Sequence, residues 1–380
     1  LMTSPGSRAH CPFDLPASQA LHERVRRFID HQMAGRQSES FDSLAVDIAR
    51  FQFQCETGVE KLYKAKNIDT GSLTLASQIP AVPTDVFKLR RVACHPAELD
   101  TYRFLTSGTT LGARGMHPVR DADTYRRGTR AWASQMLYPD TDRLDWILLA
   151  PPFADSPHSS LGFMLDDLCA ATQGQATWAV LDGRVDVDAI SRALYCANQR
   201  QMPIIMAGAS FAFVHLLEAL QGRNLALGQR GRVMQTGGFK GKSKEVEALA
   251  LREQIARSLK IPTDAVISEY GMTELGSQAY EGRWRGWLGL EQPHEDFVCP
   301  PWMRVTTVHQ ETLEPLPDGE IGIARIEDLT NVDSAVAVQT ADRVRVMGNR
   351  FQLLGRTPGA TPRGCSIGID EILSPESLRP

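Results

Sequence analysis

From Asp145 to Ser268 the chain alternates short apolar runs with longer stretches at helical spacing, and this alternation limits the possible folds more than any other feature. Trp146 to Ala150, Thr177 to Leu181, Ile204 to Ala207, Arg232 to Gln235 and Ala265 to Ser268 read as strands. Between them lie a helix from about Ser160 and helices at Val187 to Arg200, Phe211 to Leu220 and Ser243 to Leu259. Four or more β-α repeats predict a parallel sheet covered by helices on both faces, because each apolar strand needs cover above and below. Ligands of open sheets of this kind bind where the strands end, at their carboxyl edge.

The flanks differ from this centre. Leu21, Val25, Phe28, Ile29 and Met33, then Leu44, Ile48, Phe51 and Phe53, recur at helical spacing, so residues 1–100 read as a helical N-terminal segment. Within it, Ile79 to Thr84 carries two prolines, which remove donors and push their neighbours to extended conformations; a rigid connector is expected there. Residues 101–282 form the α/β core of this reading. Residues 283–355, with short alternating runs at Met303 to His309, Ile321 to Ile326, Val336 to Thr340 and Phe351 to Leu354, form a β-rich subdomain, and 356–380 a hinge and short tail.

With 42% hydrophobic and 23% charged residues the chain is ordinary globular material, which excludes a disordered or fibrous protein. A net charge of -4 offers no basic field for nucleic acid or anionic lipid, so neither is an expected partner. The seven cysteines are scattered and never in a Cys-x-x-Cys pair, suggesting neither a disulfide framework nor a zinc knuckle and favouring a reducing cytoplasm. Leu1 to Pro12 holds no apolar run like that of a signal peptide, and nothing approaches the roughly 18 apolar residues of a membrane helix, so a soluble, cytoplasmic protein without membrane insertion is expected.

Three segments could carry chemistry. Thr106-Ser107-Gly108-Thr109-Thr110-Leu111-Gly112 is rich in glycine and hydroxyls, which lets backbone N–H groups converge on an anion while the hydroxyls add donors; a Ser/Thr-rich surface turn has the same composition. Thr236-Gly237-Gly238-Phe239-Lys240-Gly241-Lys242-Ser243 nearly spells a P-loop, but Thr236 stands where the first glycine is required, and a glycine turn opening a helix explains it as well. Ser268-Glu269-Tyr270-Gly271-Met272-Thr273-Glu274 follows a strand of the parallel sheet, where a carboxylate can share Mg2+ with a nucleotide phosphate; a first-turn glutamate favoured by a helix dipole is the plainer alternative.

In this order the segments resemble the motifs of adenylate-forming ligases. Thr106 to Gly112 resembles their T-S-G-T-T-G phosphate loop, Gly237-Gly238 their adenine-side glycines, and Tyr270 to Glu274 matches Y-G-M-T-E at every residue. Thr340-Ala341-Asp342 is similar to T-G-D, and Gly355-Arg356 to the G-R that opens their hinge. Within the superfamily, Phe87-Lys88, Thr236 to Gly238 with Lys240-Gly241, Ser268 to Tyr280 and Arg363-Gly364-Cys365-Ser366 resemble the acyl-protein synthetase family, the acid-activating subunit of the luminous bacteria's fatty acid reductase. Leu111 departs from the loop's glycine, and Ala341 from the glycine of T-G-D.

The resemblance implies an α/β adenylate-forming core with a β-rich subdomain and a truncated C-terminal lid. It implies ATP and Mg2+ as cofactors and a carboxylic, fatty acid activated as acyl-adenylate. The acyl group would pass to Cys365, and then to a partner reductase or carrier protein; transfer to coenzyme A or an amine is the alternative, and a non-catalytic nucleotide-binding subunit a further one. The implied roles are Thr106, Ser107, Gly108, Thr109 and Thr110 on the phosphates, and Gly237, Gly238, Tyr270, Gly271 and Met272 around the nucleotide. Thr273 and Glu274 serve catalysis, with Glu274 on the metal, and Asp342 and Arg356 sit on the ribose. His158, Gly208 and Gly238 border the acid. Lys240 and Arg356, with Arg114 and His117, are candidates for the cation that steadies attack on the α-phosphate.

Overall fold

Asp14 and Ser40 start the two N-terminal helices as side-chain caps: Asp14 Oδ1 accepts from the Ala17 amide and Ser40 Oγ from the Ser43 amide, both at 3.0 Å. Helix α1 (Leu15–Met33) and α2 (Phe41–Gln54) bury Val25, Ile29, Leu44 and Ile48 completely. Each such side chain contributes about 1.5–3 kcal/mol relative to exposure. The computed structural model describes residues 13–55, 59, 62, 64, 67–106, 114–181, 183–228, 230–237 and 248–356. Ser107, Gly108, Thr109, Thr110, Leu111, Gly238, Lys240 and Cys365 therefore lie outside the described residues.

After α2 come β1 (Val82–Pro83), α3 (Val86–Leu89), β2 (Tyr102–Leu105), β3 (Met116–Val119) and α4 (Ala122–Met136). The β-α series follows as β4 (Asp145–Leu149), α5 (Ser160–Ala171), β5 (Ala176–Trp178), β6 (Val180–Leu181), β7 (Arg184–Val185), α6 (Val187–Arg200), β8 (Ile204–Ala209), α7 (Ser210–Leu220), β9 (Arg232–Thr236), α8 (Ala248–Leu259) and β10 (Val266–Tyr270). Last come β11 (Ala279–Glu281), α9 (Arg283–Trp287), β12 (Phe297–Val298), β13 (Met303–Val308), β14 (Ile321–Asp328), β15 (Ala337–Met347) and β16 (Arg350–Arg356).

One twelve-stranded sheet runs β13-β14-β15-β16-β12-β11-β10-β9-β8-β4-β5, with β1 beside β15. Strands β5, β4, β8, β9 and β10 are parallel to one another. From β11 to β13 each strand is antiparallel to its neighbour. The strands from residues 283–355 thus extend the sheet of the α/β core. Because β5 lies on one side of β4 and β8 on the other, the winding reverses at β4, and a crevice opens at the carboxyl edge of such a switch point.

The segment expected to be a plain connector is also used as structure. Val82 and Pro83 pair in parallel with Val338 and Gln339, and the Thr84 amide donates to Gln339 O at 3.0 Å. Proline is tolerated here because β1 pairs on one side only. A buried network ties α1 to the far end of the chain. Asp333 accepts from Ser18 Oγ and, at 2.8 Å, from Arg120 Nε, while His22 Nε2 lies 3.1 Å from its Oδ2. Burial works against the Asp333 charge, but His22, Arg120 and Ser18 outweigh it and hold its pKa down at about 2.

Candidate active site

The register of the parallel strands lines up the residues that end them. Leu149 pairs with Gly208, Ala209 with Thr236, and Thr236 with Glu269, so the segments that follow β4, β8, β9 and β10 leave from one edge. Gly208 has a packing reason to be glycine: a Cβ there would sit 2.8 Å from Leu149 Cβ and 3.0 Å from its carbonyl oxygen. Gly237 stands at φ +73°, left-handed backbone that strains other residues, and its carbonyl accepts from Ser210 Oγ at 2.8 Å.

Tyr270 ends β10 with its ring edge-on to Phe297 and Phe351, at centroid distances of 6.0 and 5.2 Å. Its hydroxyl donates to Asp342 Oδ2 at 2.9 Å, and Arg356 Nε donates to Asp342 Oδ1 at 2.8 Å. Burial opposes the Arg356 charge, yet Asp342, Tyr270 and Glu274 around it push its pKa up. The parallel and antiparallel parts of the sheet thus meet at Asp342. Glu269, one residue before Tyr270, accepts from Thr236 Oγ1 and is buried. Its Oε1 lies 2.3 Å from where a Gly271 Cβ would stand, so a larger residue at 271 would push the Glu269 carboxyl aside.

The turn holding Thr273 and Glu274 is clamped on several sides. His117 Nδ1 meets the Thr273 carbonyl at 2.7 Å, and Asn331 Nδ2 donates to the Glu274 carbonyl at 2.9 Å. Asp328 accepts from the Gly276 amide and the Ser277 hydroxyl, at 3.1 and 2.7 Å. The Glu274 side chain is buried at this edge, with Met272 and Thr273 half-buried beside it. Among the described residues no group of three or more His, Cys, Asp or Glu is placed to hold a metal alone. Mg2+ keeps its waters and takes one or two carboxylates plus substrate phosphates, so a single carboxylate such as Glu274 is a donor set that would fit that ion.

The phosphate-loop candidate is the connection of the β2–β3 hairpin. Thr106 closes it from both sides: its amide donates to Gly115 O and its Oγ1 accepts from the Gly115 amide, both at 2.8 Å. Arg114 beside it is exposed. His158 is exposed and joins the hairpin, with Nδ1 2.9 Å from Arg103 O and its own carbonyl accepting from the Leu105 amide at 2.9 Å. Of the cation candidates, His117 does not qualify. Burial pushes its pKa down to about 4, so the ring is neutral at ordinary pH. Asn331, Asp328 and Ser210 carry no mark in the sequence, because the groups they bond, the Glu274 carbonyl, the Gly276 amide with the Ser277 hydroxyl, and the Gly237 carbonyl, are met only in the fold.

The chain is an adenylate-forming acyl ligase by the family that it matches, and its fold agrees. 2-Hydroxyisobutyryl-CoA ligase, in an open conformation in complex with 2-HIB-AMP and CoA, matches with a TM-score of 0.57 at 12% identity, covering 95% of this chain and 82% of that one. The same ligase in its thioesterification state gives 0.57 at 13% identity, over 91% and 69%. The model of the family "Acyl-protein synthetase, LuxE" matches residues 33–374, and the chain belongs to that family. The long-chain-fatty-acid–luciferin-component ligase of Aliivibrio fischeri is 22% identical over 321 residues, 80% of each chain. No helix among the described residues is long and apolar enough to cross a membrane.

Proposed function

We propose that the protein uses ATP and Mg2+ to activate a fatty acid as acyl-adenylate and then carries the acyl group on a thiol, Cys365, for handover to a partner protein such as a reductase. The observation that carries this reading is the convergence of Tyr270, Asp342, Arg356 and Glu274 at the carboxyl edge of the parallel strands, in a chain of the acyl-protein synthetase family. The acid's carboxylate attacks the α-phosphorus, the α–β bridge bond breaks, and pyrophosphate leaves with that electron pair. The Cys365 thiolate then attacks the acyl carbon and AMP departs, the thiol proton having gone to solvent.

Asp342 suits the ribose. Each carboxylate oxygen has two acceptor sites, and Tyr270 and Arg356 take one on each, leaving one on each for two neighbouring hydroxyls. Arg356, whose charge is reinforced by its surroundings, supplies positive potential where phosphate charge develops, and preplaced charge of this kind lowers the barrier without reorganisation. Glu274 would hold Mg2+, which supplies screening of the phosphate oxygens. Cys299 and Cys169 are poor candidates for the acyl-carrying thiol, because burial pushes both pKa values up, Cys299 to about 12.

The test is pyrophosphate exchange combined with intact mass spectrometry, using ATP, Mg2+ and acids of graded chain length. Acid-dependent exchange and a mass increase equal to the acyl group are the expected results. Exchange with no acid on the panel overturns the activation step; exchange without an adduct, together with transfer to coenzyme A, overturns the protein-bound thioester.

A further inference from the structure

His117 lies at the junction of two segments that the sequence sets far apart. It belongs to β3, which begins one residue after Gly115, the residue that closes the hairpin loop against Thr106. Its Nδ1 is 2.7 Å from the Thr273 carbonyl, and its Nε2 is 3.0 Å from Ser334 Oγ. The ring is buried, with Phe87 edge-on at 5.8 Å. A carbonyl only accepts, so Nδ1 carries the proton, and in the neutral ring Nε2 accepts from the Ser334 hydroxyl.

The Thr273 carbonyl belongs to the same planar peptide as the Glu274 nitrogen, so a hydrogen bond to that oxygen fixes the plane from which the Glu274 side chain departs. Asn331 fixes the next peptide through the Glu274 carbonyl. Glu274 is therefore held on both sides of its Cα, on one side by β3 and on the other by the segment after β14.

We propose that His117 is a positioning residue for the Mg2+-nucleotide complex, orienting Glu274 through the Thr273 carbonyl and coupling that carboxylate to the hairpin whose loop is the phosphate-loop candidate. The proposal rests on reading Glu274 as the metal carboxylate. Partners that orient a metal ligand without touching the metal are worth about 10–100-fold in metal affinity.

The measurement is ATP affinity by calorimetry with and without Mg2+, expressed as a ratio, alongside the thermal midpoint. In His117→Asn the amide nitrogen is one bond from Cγ, as Nδ1 is, so the donor to Thr273 survives. In His117→Gln the amide lies a bond further out, toward Ser334, and the donor is lost. The Mg2+ ratio should fall at least ~10-fold in His117→Gln and stay within ~3-fold of the parent in His117→Asn, on the scale expected for such partners. Equal ratios in the two variants, whether both kept or both lost, overturn the positioning role and leave His117 a packing residue. Glu274→Gln separates the two layers. If it leaves the ratio unchanged, the metal assignment fails and the proposal with it; if it collapses the ratio while His117→Gln does not, only the His117 role fails.

Discussion

The hydroxyl of Tyr270 donates to Oδ2 of Asp342 at 2.9 Å, across 72 residues of chain, and joins the end of the last parallel strand to the middle of a long antiparallel one. Asp342 is 6% exposed, so this hydrogen bond satisfies an oxygen that water reaches poorly.

Tyr270→Phe keeps the ring between Phe297 and Phe351 and removes only the donor. Unfolding in urea should show a loss of about 1–3 kcal/mol, the cost of leaving a buried acceptor unpaired. ATP affinity should fall by roughly 2–10-fold as Asp342 loses its alignment, since 1.4 kcal/mol is tenfold. A stability loss with unchanged ATP affinity would mean that the pair serves packing alone.

Glu269 makes stability depend on pH in an unusual direction. Burial raises its pKa from 4.5 to about 7, and the hydrogen bond from Thr236 only partly offsets this. The folded protein therefore holds a proton that the unfolded chain releases near pH 4.5, so this residue's contribution to stability declines as pH rises from about 4.5 to about 7 and is level above. The full effect is about 3 kcal/mol. Glu269→Gln should remove that slope, so thermal midpoints from pH 5 to 8 should show the variant gaining on the parent as pH rises. Parallel curves would show that the carboxyl is ionised in the fold throughout.

Glu274→Gln is nearly isosteric and leaves the carbonyl that Asn331 holds in place. Pyrophosphate exchange should drop by at least ~100-fold with an unchanged thermal midpoint, the scale seen when transition-state charge stabilisation is removed. Exchange at the parent rate would show that the metal is held elsewhere.

The sequence made much of this legible where local periodicity is strong. Helix α2 is read at 41–54 because Leu44, Ile48 and Phe51 carry a continuous apolar stripe. Helix α4 is harder to read, because its buried face is Ala122, Thr124, Tyr125, Gly128, Thr129, Ala133 and Met136, and the helix contains no leucine, isoleucine or valine to mark that face as apolar. Gly128 has its own reason there, since a Cβ would come within 3.1 Å of Trp302 Nε1. At the candidate site, the motifs single out Tyr270, Glu274, Asp342 and Arg356, and the fold joins Tyr270 and Arg356 through Asp342. Residue type makes His117 one of four cation candidates, and no local pattern encodes the neutral ring held between Thr273 and Ser334, which lie 156 and 217 residues away.

A substitution at Cys365 tests the proposed thiol step apart from acid activation. It stands nine residues after Arg356 in the sequence, a length of chain that can span up to ~30 Å when extended, so reach to a nucleotide beside Arg356 is not limiting. Arg363 is two residues away in the sequence, and a neighbouring cation favours a thiolate, which attacks a mixed anhydride far better than a protonated serine hydroxyl does. Cys365→Ser should therefore exchange pyrophosphate at the parent rate, since forming the adenylate needs no sulfur, while the hydroxylamine-sensitive acyl adduct expected of the parent should be missing from the variant's mass spectrum. An adduct of undiminished yield in the variant would place the acyl group on another residue. Loss of exchange and adduct together would mean instead that the residue supports adenylation itself.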